Sequence, residues 1–266
     1  MQIMASYYTD VGSVKKTNQD SLCLKIVNLP NDRVAFAVVC DGMGGLERGE
    51  LASKEVVLAL ERWFFDDFAR MVSKGMVTEN QLYIEWEREV ALVNQKLMEY
   101  GNKHGIQLGT TLTVLLVFRR NYYICHIGDS RLYKITKQIT LMTEDHTVAG
   151  HELRMGLITA EQAKNNPRRN MLVQCVGASA VIEPQMVAGV ITEETTFILC
   201  SDGFVHCLSA HEMYESFKPE LLKNKDDVTD ACEILSRLVI ERGEQDNVTV
   251  IGIVLKDIES KCILVG

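Results

Sequence analysis

Hydrophobic residues in this chain change their spacing from one stretch to the next. Val34-Ala35-Phe36-Ala37-Val38-Val39-Cys40 is a continuous apolar run ending at Asp41-Gly42, the mark of a buried strand that empties into a loop. From 50 to 72 the period becomes helical, with Leu51, Val56, Leu60, Trp63, Phe64, Phe68 and Val72 on one side. A second helical pattern covers roughly 81–100 through Leu82, Trp86, Val90, Val93 and Leu97. Short apolar segments separated by turns follow at 111–118, 122–127, 131–135, 186–191, 196–201 and 248–255, with another helix near 228–242. Strands at such short spacing pair antiparallel, and the long helices inserted among them serve to cover the sheets. The segment 146–170 breaks the pattern. It is polar, carries Gly150, Gly156 and Pro167, and holds a short helix around 159–164, so it reads as an excursion from the core.

Composition narrows the class. The 266 residues include only four prolines and no flexible linker, which favours a single domain over 1–258 and a short tail at 259–266. The 47% hydrophobic and 24% charged content excludes a disordered or collagen-like chain. With 28 basic against 36 acidic side chains the net charge is -8, which argues against nucleic acid and anionic membrane as partners. The eight cysteines form no C-x-x-C pair, so no zinc knuckle or thioredoxin-like motif is available. Cys40, Cys125 and Cys200 sit in apolar runs, and reduced core thiols are expected. Residues 1–10 lack a basic stretch followed by an apolar one, and no apolar run approaches the ~20 residues that span a bilayer. The expected location is cytoplasmic.

Candidate chemistry lies in the aspartates. Asp41, Asp129 and Asp202 each follow a strand-like run beside a glycine; Asp246 stands just before the last such run, and Asp20 follows the apolar stretch near 7–11. Any one Asp-Gly is as readily a turn as a site. Several converging carboxylates repel one another unless protonated or bridged by cations, and oxygen-only donors suit Mg2+ or Mn2+. The residues therefore point to a hard-metal hydrolase.

The motifs arrive in an order that resembles the metal-dependent protein phosphatases, the type 2C serine/threonine phosphatases, in their bacterial form. They are Gly12-Ser13-Val14-Lys15-Lys16-Thr17-Asn18-Gln19-Asp20-Ser21; Asp41-Gly42-Met43-Gly44-Gly45 with Gly49-Glu50; Gly109-Thr110-Thr111-Leu112; His126-Ile127-Gly128-Asp129-Ser130-Arg131; Thr143-Glu144-Asp145-His146; Cys200-Ser201-Asp202-Gly203; and Asp246-Asn247-Val248-Thr249. The resemblance runs from about 12 to 255. It implies an α+β fold, a four-layer α-β-β-α sandwich of two antiparallel sheets flanked by helices, with 146–170 as a flap subdomain. It also implies two Mn2+ or Mg2+ ions bridged by a hydroxide that attacks the phosphorus of phosphoserine or phosphothreonine. By position Asp41 would bridge both ions, Asp202 and Asp246 would bind one, and Asp20 with the Gly42 carbonyl the other. Asp129 with Asp202 would supply a third. Phosphorylated proteins and a cognate Hanks-type kinase are the implied partners, with a monomer expected.

Some positions depart from the family. Lys15 stands where most relatives have a phosphate-gripping arginine, so Lys15 or Lys16 is the candidate phosphate contact, weaker than a guanidinium fork. Met43 and Leu46 occupy places where relatives carry a histidine, which removes those proton donors. His126 reads as a core histidine, whereas His146, opening the flap, is the candidate to approach substrate. Arg154, Arg168 and Arg169 could equally contact a phosphoprotein or merely solvate the flap. His206 replaces a common aspartate, and nothing about metal binding is drawn from it. A pseudophosphatase that binds without turnover is the alternative; a haloacid-dehalogenase-like enzyme is excluded because Met43 stands where its second carboxylate belongs.

Overall fold

The computed structural model describes residues 1–30, 32–43 and 48–256. Gly44, Gly45, Leu46, Cys262, the boundary at 258 and the tail 259–266 lie outside the described residues. Chain order runs β1 (Gln2–Asp10), β2 (Asp20–Leu29), β3 (Asp32–Asp41), α1 (Gly49–Trp63), a π turn (Phe64–Phe68), α2 (Ala69–Ser73) and α3 (Glu79–His104). Then come β4 (Leu112–Phe118), β5 (Asn121–Ile127), β6 (Arg131–Ile135), β7 (Ile139–Leu141), α4 (Val148–Arg154) and α5 (Ala160–Lys164). The last elements are β8 (Gln185–Val190), β9 (Thr195–Cys200), α6 (Asp202–Val205), α7 (Ala210–Phe217), α8 (Lys225–Glu241) and β10 (Val248–Lys256).

The strands form two antiparallel sheets of five, ordered β1-β10-β9-β6-β7 and β2-β3-β4-β5-β8. Alternation along each strand builds three apolar layers from this pair, because successive side chains point to opposite faces. In β3, Val34, Phe36, Val38 and Cys40 face α1 and α3, where Trp63, Phe64 and Trp86 pack. The intervening Ala35, Ala37 and Val39 face the other sheet and meet Phe197, Leu199, Ile251 and Ile253. β10 divides likewise, its Val248, Val250 and Val254 turning to Phe217, Cys232 and Leu235 of the helices on that side. The result is the expected α-β-β-α sandwich.

Local signals explain the helices. Thr78 caps α3 by accepting the Gln81 amide, and Gly105 ends it at φ 66. Asn224 and Asp227 form a capping box that starts α8. The continuous helix expected over 50–72 is interrupted by the π turn, where Phe64 stacks on Phe36 with centroids 4.6 Å apart. Elements that went unread in the sequence include β2, whose partly buried residues blur the alternation, the three-residue β7, and the short helices α4, α6 and α7. All seven described cysteines are free thiols, six of them buried. Among the described residues no helix is long and apolar enough to cross a membrane.

Candidate metal centre

Five segments end at one edge of the sandwich. β2 begins with Asp20 and β3 ends with Asp41, and the register pairs these two residues directly across the strands. The Asp41 amide donates to Thr111 Oγ1 at 2.9 Å, while its carbonyl accepts Thr110 Oγ1 at 2.8 Å. Gly42 follows in a gap that tolerates no side chain: a Cβ there would lie 2.4 Å from the Gly49 carbonyl oxygen and 2.6 Å from that of Gln19. Glycine thus lets the start of α1, the entry to β2 and the loop after β3 touch.

On the other sheet, Asp202 opens α6 directly after β9, and Asp246 precedes β10. Gly203 allows these segments to meet, since a Cβ there would fall 2.2 Å from the Asn247 carbonyl oxygen. Asn247 joins the two sheets at the site. Its Oδ1 accepts the Gln19 amide at 2.8 Å, and its Nδ2 donates to the carbonyls of Val11 and Thr17 at 2.9 and 3.2 Å. Ser201 accepts the Thr249 amide through Oγ at 3.0 Å, fastening Asp202's strand to β10.

The electrostatics of this edge are those of crowded anions. Burial pushes the Asp20 carboxyl up to about 7; the nearby Thr249 and Ser201 hydroxyls ease this, while Asp202 and Asp246 add to it. Asp41 is raised well above the carboxylate range by burial and then by Asp20, Asp202, Asp129 and Asp246. Asp129 is lifted to about 8 by burial and by Asp202 and Asp145. Asp202 is raised by burial too, against the opposing pull of His206. Among the described residues, Asp20 Oδ1 and Oδ2 and Asp202 Oδ1 are buried with no hydrogen-bond partner. Buried anionic oxygens without donors are costly unless a cation neutralises them, so the donor set fits a hard divalent ion. Among the described residues, no group of three or more Asp, Glu, His or Cys side chains is arranged in this structure so that it could hold a metal ion.

The candidate contacts around this edge are placed unevenly. Lys15 Nζ lies 3.0 Å from Asp246 Oδ1, at the rim of the aspartates and about one third exposed. Lys16 is exposed and has no ion-pair partner among the described residues. His126 is buried as expected of a core histidine: Nε2 donates to the carbonyls of Gly128 and Glu144, and Nδ1 accepts from the Thr113 hydroxyl. Burial and His146 drop it to about 3.

His146 is itself only 7% exposed. Its Nδ1 accepts the Gly128 amide at 3.2 Å and the Gln174 side-chain amide at 2.9 Å, so it ties the flap root to the loop carrying Asp129. It also lines a cavity of about 530 Å³ with His151, Arg154, Gln174 and Gln185. Arg154 pairs with Glu144 at 3.3 Å and Arg168 with Glu152 at 2.5 Å. Arg169 is exposed, with no ion-pair partner among the described residues.

Sequence reasoning missed His206 and Glu244. His206 Nε2 is 3.4 Å from Asp202 Oδ2 and its Nδ1 is 3.3 Å from Glu244 Oε2. The only signal was spacing: His206 is four residues after Asp202, and Glu244 two before Asp246.

The model of the family described as protein phosphatase 2C matches residues 12–239 of the chain. The chain belongs to the protein phosphatase 2C family. Among its relatives is the serine/threonine phosphatase stp of Listeria monocytogenes serotype 4b (strain F2365), 29% identical over 259 residues and 97% of each chain. The crystal structure of the serine/threonine phosphatase Stp1 from Staphylococcus aureus superposes with a TM-score of 0.80 at 27% identity, covering 97% of this chain and 96% of that one. The catalytic domain of the phosphatase PstP in complex with two manganese ions gives 0.74 at 25% identity, covering 96% and 100%. As a member of the family, the chain is a protein phosphatase acting on phosphoproteins, and metal dependence comes with the family.

Proposed function

We propose that this protein phosphatase 2C member hydrolyses phosphoserine and phosphothreonine in proteins at the aspartate edge, with Mn2+ or Mg2+ as its cofactor. The observation that carries the reading is the set of buried aspartate oxygens without donors, drawn from both sheets. Asp41 would bridge two ions, with Asp202 and Asp246 serving one, Asp20 and the Gly42 carbonyl the other, and Asp129 with Asp202 a third. Bound divalent cations supply a water nucleophile activated at neutral pH and neutralise the charge of the phosphoryl group.

The chain's own groups set the rest. Asp20 and Asp41, paired across β2 and β3, hold their oxygens on one rigid edge. Asn247 keeps the second sheet's carboxylates in register with them through its three hydrogen bonds to Val11, Thr17 and Gln19. Lys15, at the rim beside Asp246, is the phosphate contact this placement favours; a lysine gives a mobile point charge rather than a bidentate fork. Lys16 is the weaker candidate, being turned to solvent. His146 acts by fixing the loop before Asp129 more than by touching substrate, because its Nδ1 is already occupied.

The phosphatase domain is proposed to span 1–258 as one unit with the flap at 146–170, acting as a cytoplasmic monomer opposite a serine/threonine kinase. Hydrolysis of a phosphothreonine peptide and of p-nitrophenyl phosphate, each with Mn2+ and with chelator, tests the assignment. Turnover of both that requires Mn2+ is expected. Turnover in chelator sinks the metal chemistry, and metal binding without turnover would favour the pseudophosphatase.

A further inference from the structure

His206 and Glu244 lie outside the aspartate set, yet together they span the space between two of its members. His206 follows Asp202 by one helical turn through α6, which puts both side chains on one face. Its Nε2 stands 3.4 Å from Asp202 Oδ2, and its Nδ1 stands 3.3 Å from Glu244 Oε2. The Glu244 side chain is 8% exposed. Its other oxygen, Oε1, accepts the amides of Gln245 at 2.8 Å and Asp246 at 3.0 Å. A continuous path thus leads from the backbone of Asp246 through Glu244 and His206 to the carboxylate of Asp202.

The two Asp202 oxygens divide their work along this path. Oδ2 meets His206, whereas Oδ1 is the buried oxygen with no partner. A partner on the outer oxygen of a carboxylate fixes the direction in which the inner oxygen offers its lone pairs.

We propose that His206 and Glu244 form a positioning bridge that aims Asp202 Oδ1 into the metal site and holds the Asp246 loop in register with it. The bridge rests on the reading of Asp202 and Asp246 as cation ligands. Neither residue of the bridge touches the cation or the phosphate; both act through the aspartates they hold.

Isothermal titration with Mn2+ alone tests the bridge on the full chain, comparing wild type with His206→Ala, Glu244→Gln, their combination and Asp202→Asn. Each single bridge variant should weaken Mn2+ binding about 10-fold or more, the scale for loss of a partner behind a metal ligand. The combination should be no more than about 2-fold worse than the weaker single variant, because both residues act in one path. His206→Gln, which keeps one donor toward Asp202, should recover part of the loss.

Wild-type affinity in His206→Ala, with binding lost in Asp202→Asn, overturns the bridge and leaves the aspartate site standing. Unchanged affinity in Asp202→Asn overturns the site reading, and the bridge with it. Single losses that multiply in the combination also overturn the bridge. So does a drop in metal-free melting temperature with Mn2+ affinity unmoved, which is the signature of a merely structural role.

Discussion

Asp129 and Asp145 flank the β6–β7 hairpin, sixteen positions apart, in opposite electrostatic surroundings. Asp145 is gripped by a planar fork: Arg131 Nε donates to its Oδ1 at 3.0 Å and Nη2 to its Oδ2 at 2.6 Å. Arg154 adds a bond to its backbone carbonyl at 2.9 Å. Asp129 has anions for neighbours, and burial with Asp202 and Asp145 lifts it to about 8. One carboxylate is a finished structural contact. The other belongs to a group that folding gathers at a cost and that the proposed cation would settle. A protein accepts such repulsion where binding repays it, so the less stable of two similar side chains is the better guide to function.

The same Asp→Asn change should therefore have opposite consequences at the two places. Asp41→Asn should cut turnover of a phosphothreonine peptide by at least about 10²–10³-fold, the scale of losing a principal electrostatic contributor. It should also raise the melting temperature of the metal-free protein, because one member of a repelling set is gone. A variant that keeps its activity would break the contrast at its strongest point.

Removal of the fork should do the reverse. Arg131→Met strands Asp145 half-buried and should cost about 1–3 kcal/mol, below the range for fully buried pairs because the side chains are 33% and 22% exposed. At 2–4 °C per kcal/mol this is measurable by calorimetry. Mn2+ affinity in this variant should stay within about 3-fold of wild type; a larger loss would show that the two regions are not separable.

Acidity gives a third, smaller test. A carboxyl whose pKa is higher folded than unfolded binds protons preferentially in the native state, so its favourable contribution is present in acid and lost as pH rises through the folded value. Asp20 at about 7 and Asp129 at about 8, both raised from 3.8, place that loss between about pH 4 and 8. The metal-free protein should melt several degrees lower at the upper end of that window than at the lower, and saturating Mn2+ should flatten the trend. A metal-free melting temperature that climbs across the window would contradict the burial of these groups.

The smallest effect belongs to the rim. Lys15→Arg should lower KM for a phosphopeptide about 2- to 5-fold by offering a fork in place of a point charge. An unchanged KM would remove Lys15 from phosphate recognition and leave it as the Asp246 partner alone.

Most of the sandwich was legible because burial writes itself into the period of the sequence. The run from Val34 to Cys40 declared a strand buried on both faces, and Asp41 at its end stood out as a candidate site residue. β2 was harder: Lys25 and Asn28 interrupt its alternation, and its side chains are only partly buried. All five candidate aspartates could be named from strand ends and motif order, since the chemistry of a proposed hard cation restricts the residue type. The contact between His206 and Asp202 could not be so read, because it depends on a four-residue helix and on Glu244 arriving from another segment. Pairwise contacts between loops leave no periodic trace. For the same reason the flap arginines looked equally free in sequence, whereas Arg154 and Arg168 are committed to Glu144 and Glu152.

The pairing of β1 with β10 also constrains how the molecule can be made. Gln2 lies opposite Lys256, and the Asp10 end of β1 meets Val248 beside Asp246. During synthesis β1 must wait for β10, about 240 residues later, before the two can pair. The aspartates of β2 and β3 emerge long before those near β9 and β10. A nascent chain therefore carries Asp20, Asp41 and Asp129 well before Asp202 and Asp246, and the proposed metal site is completed only when the segment around β10 has emerged.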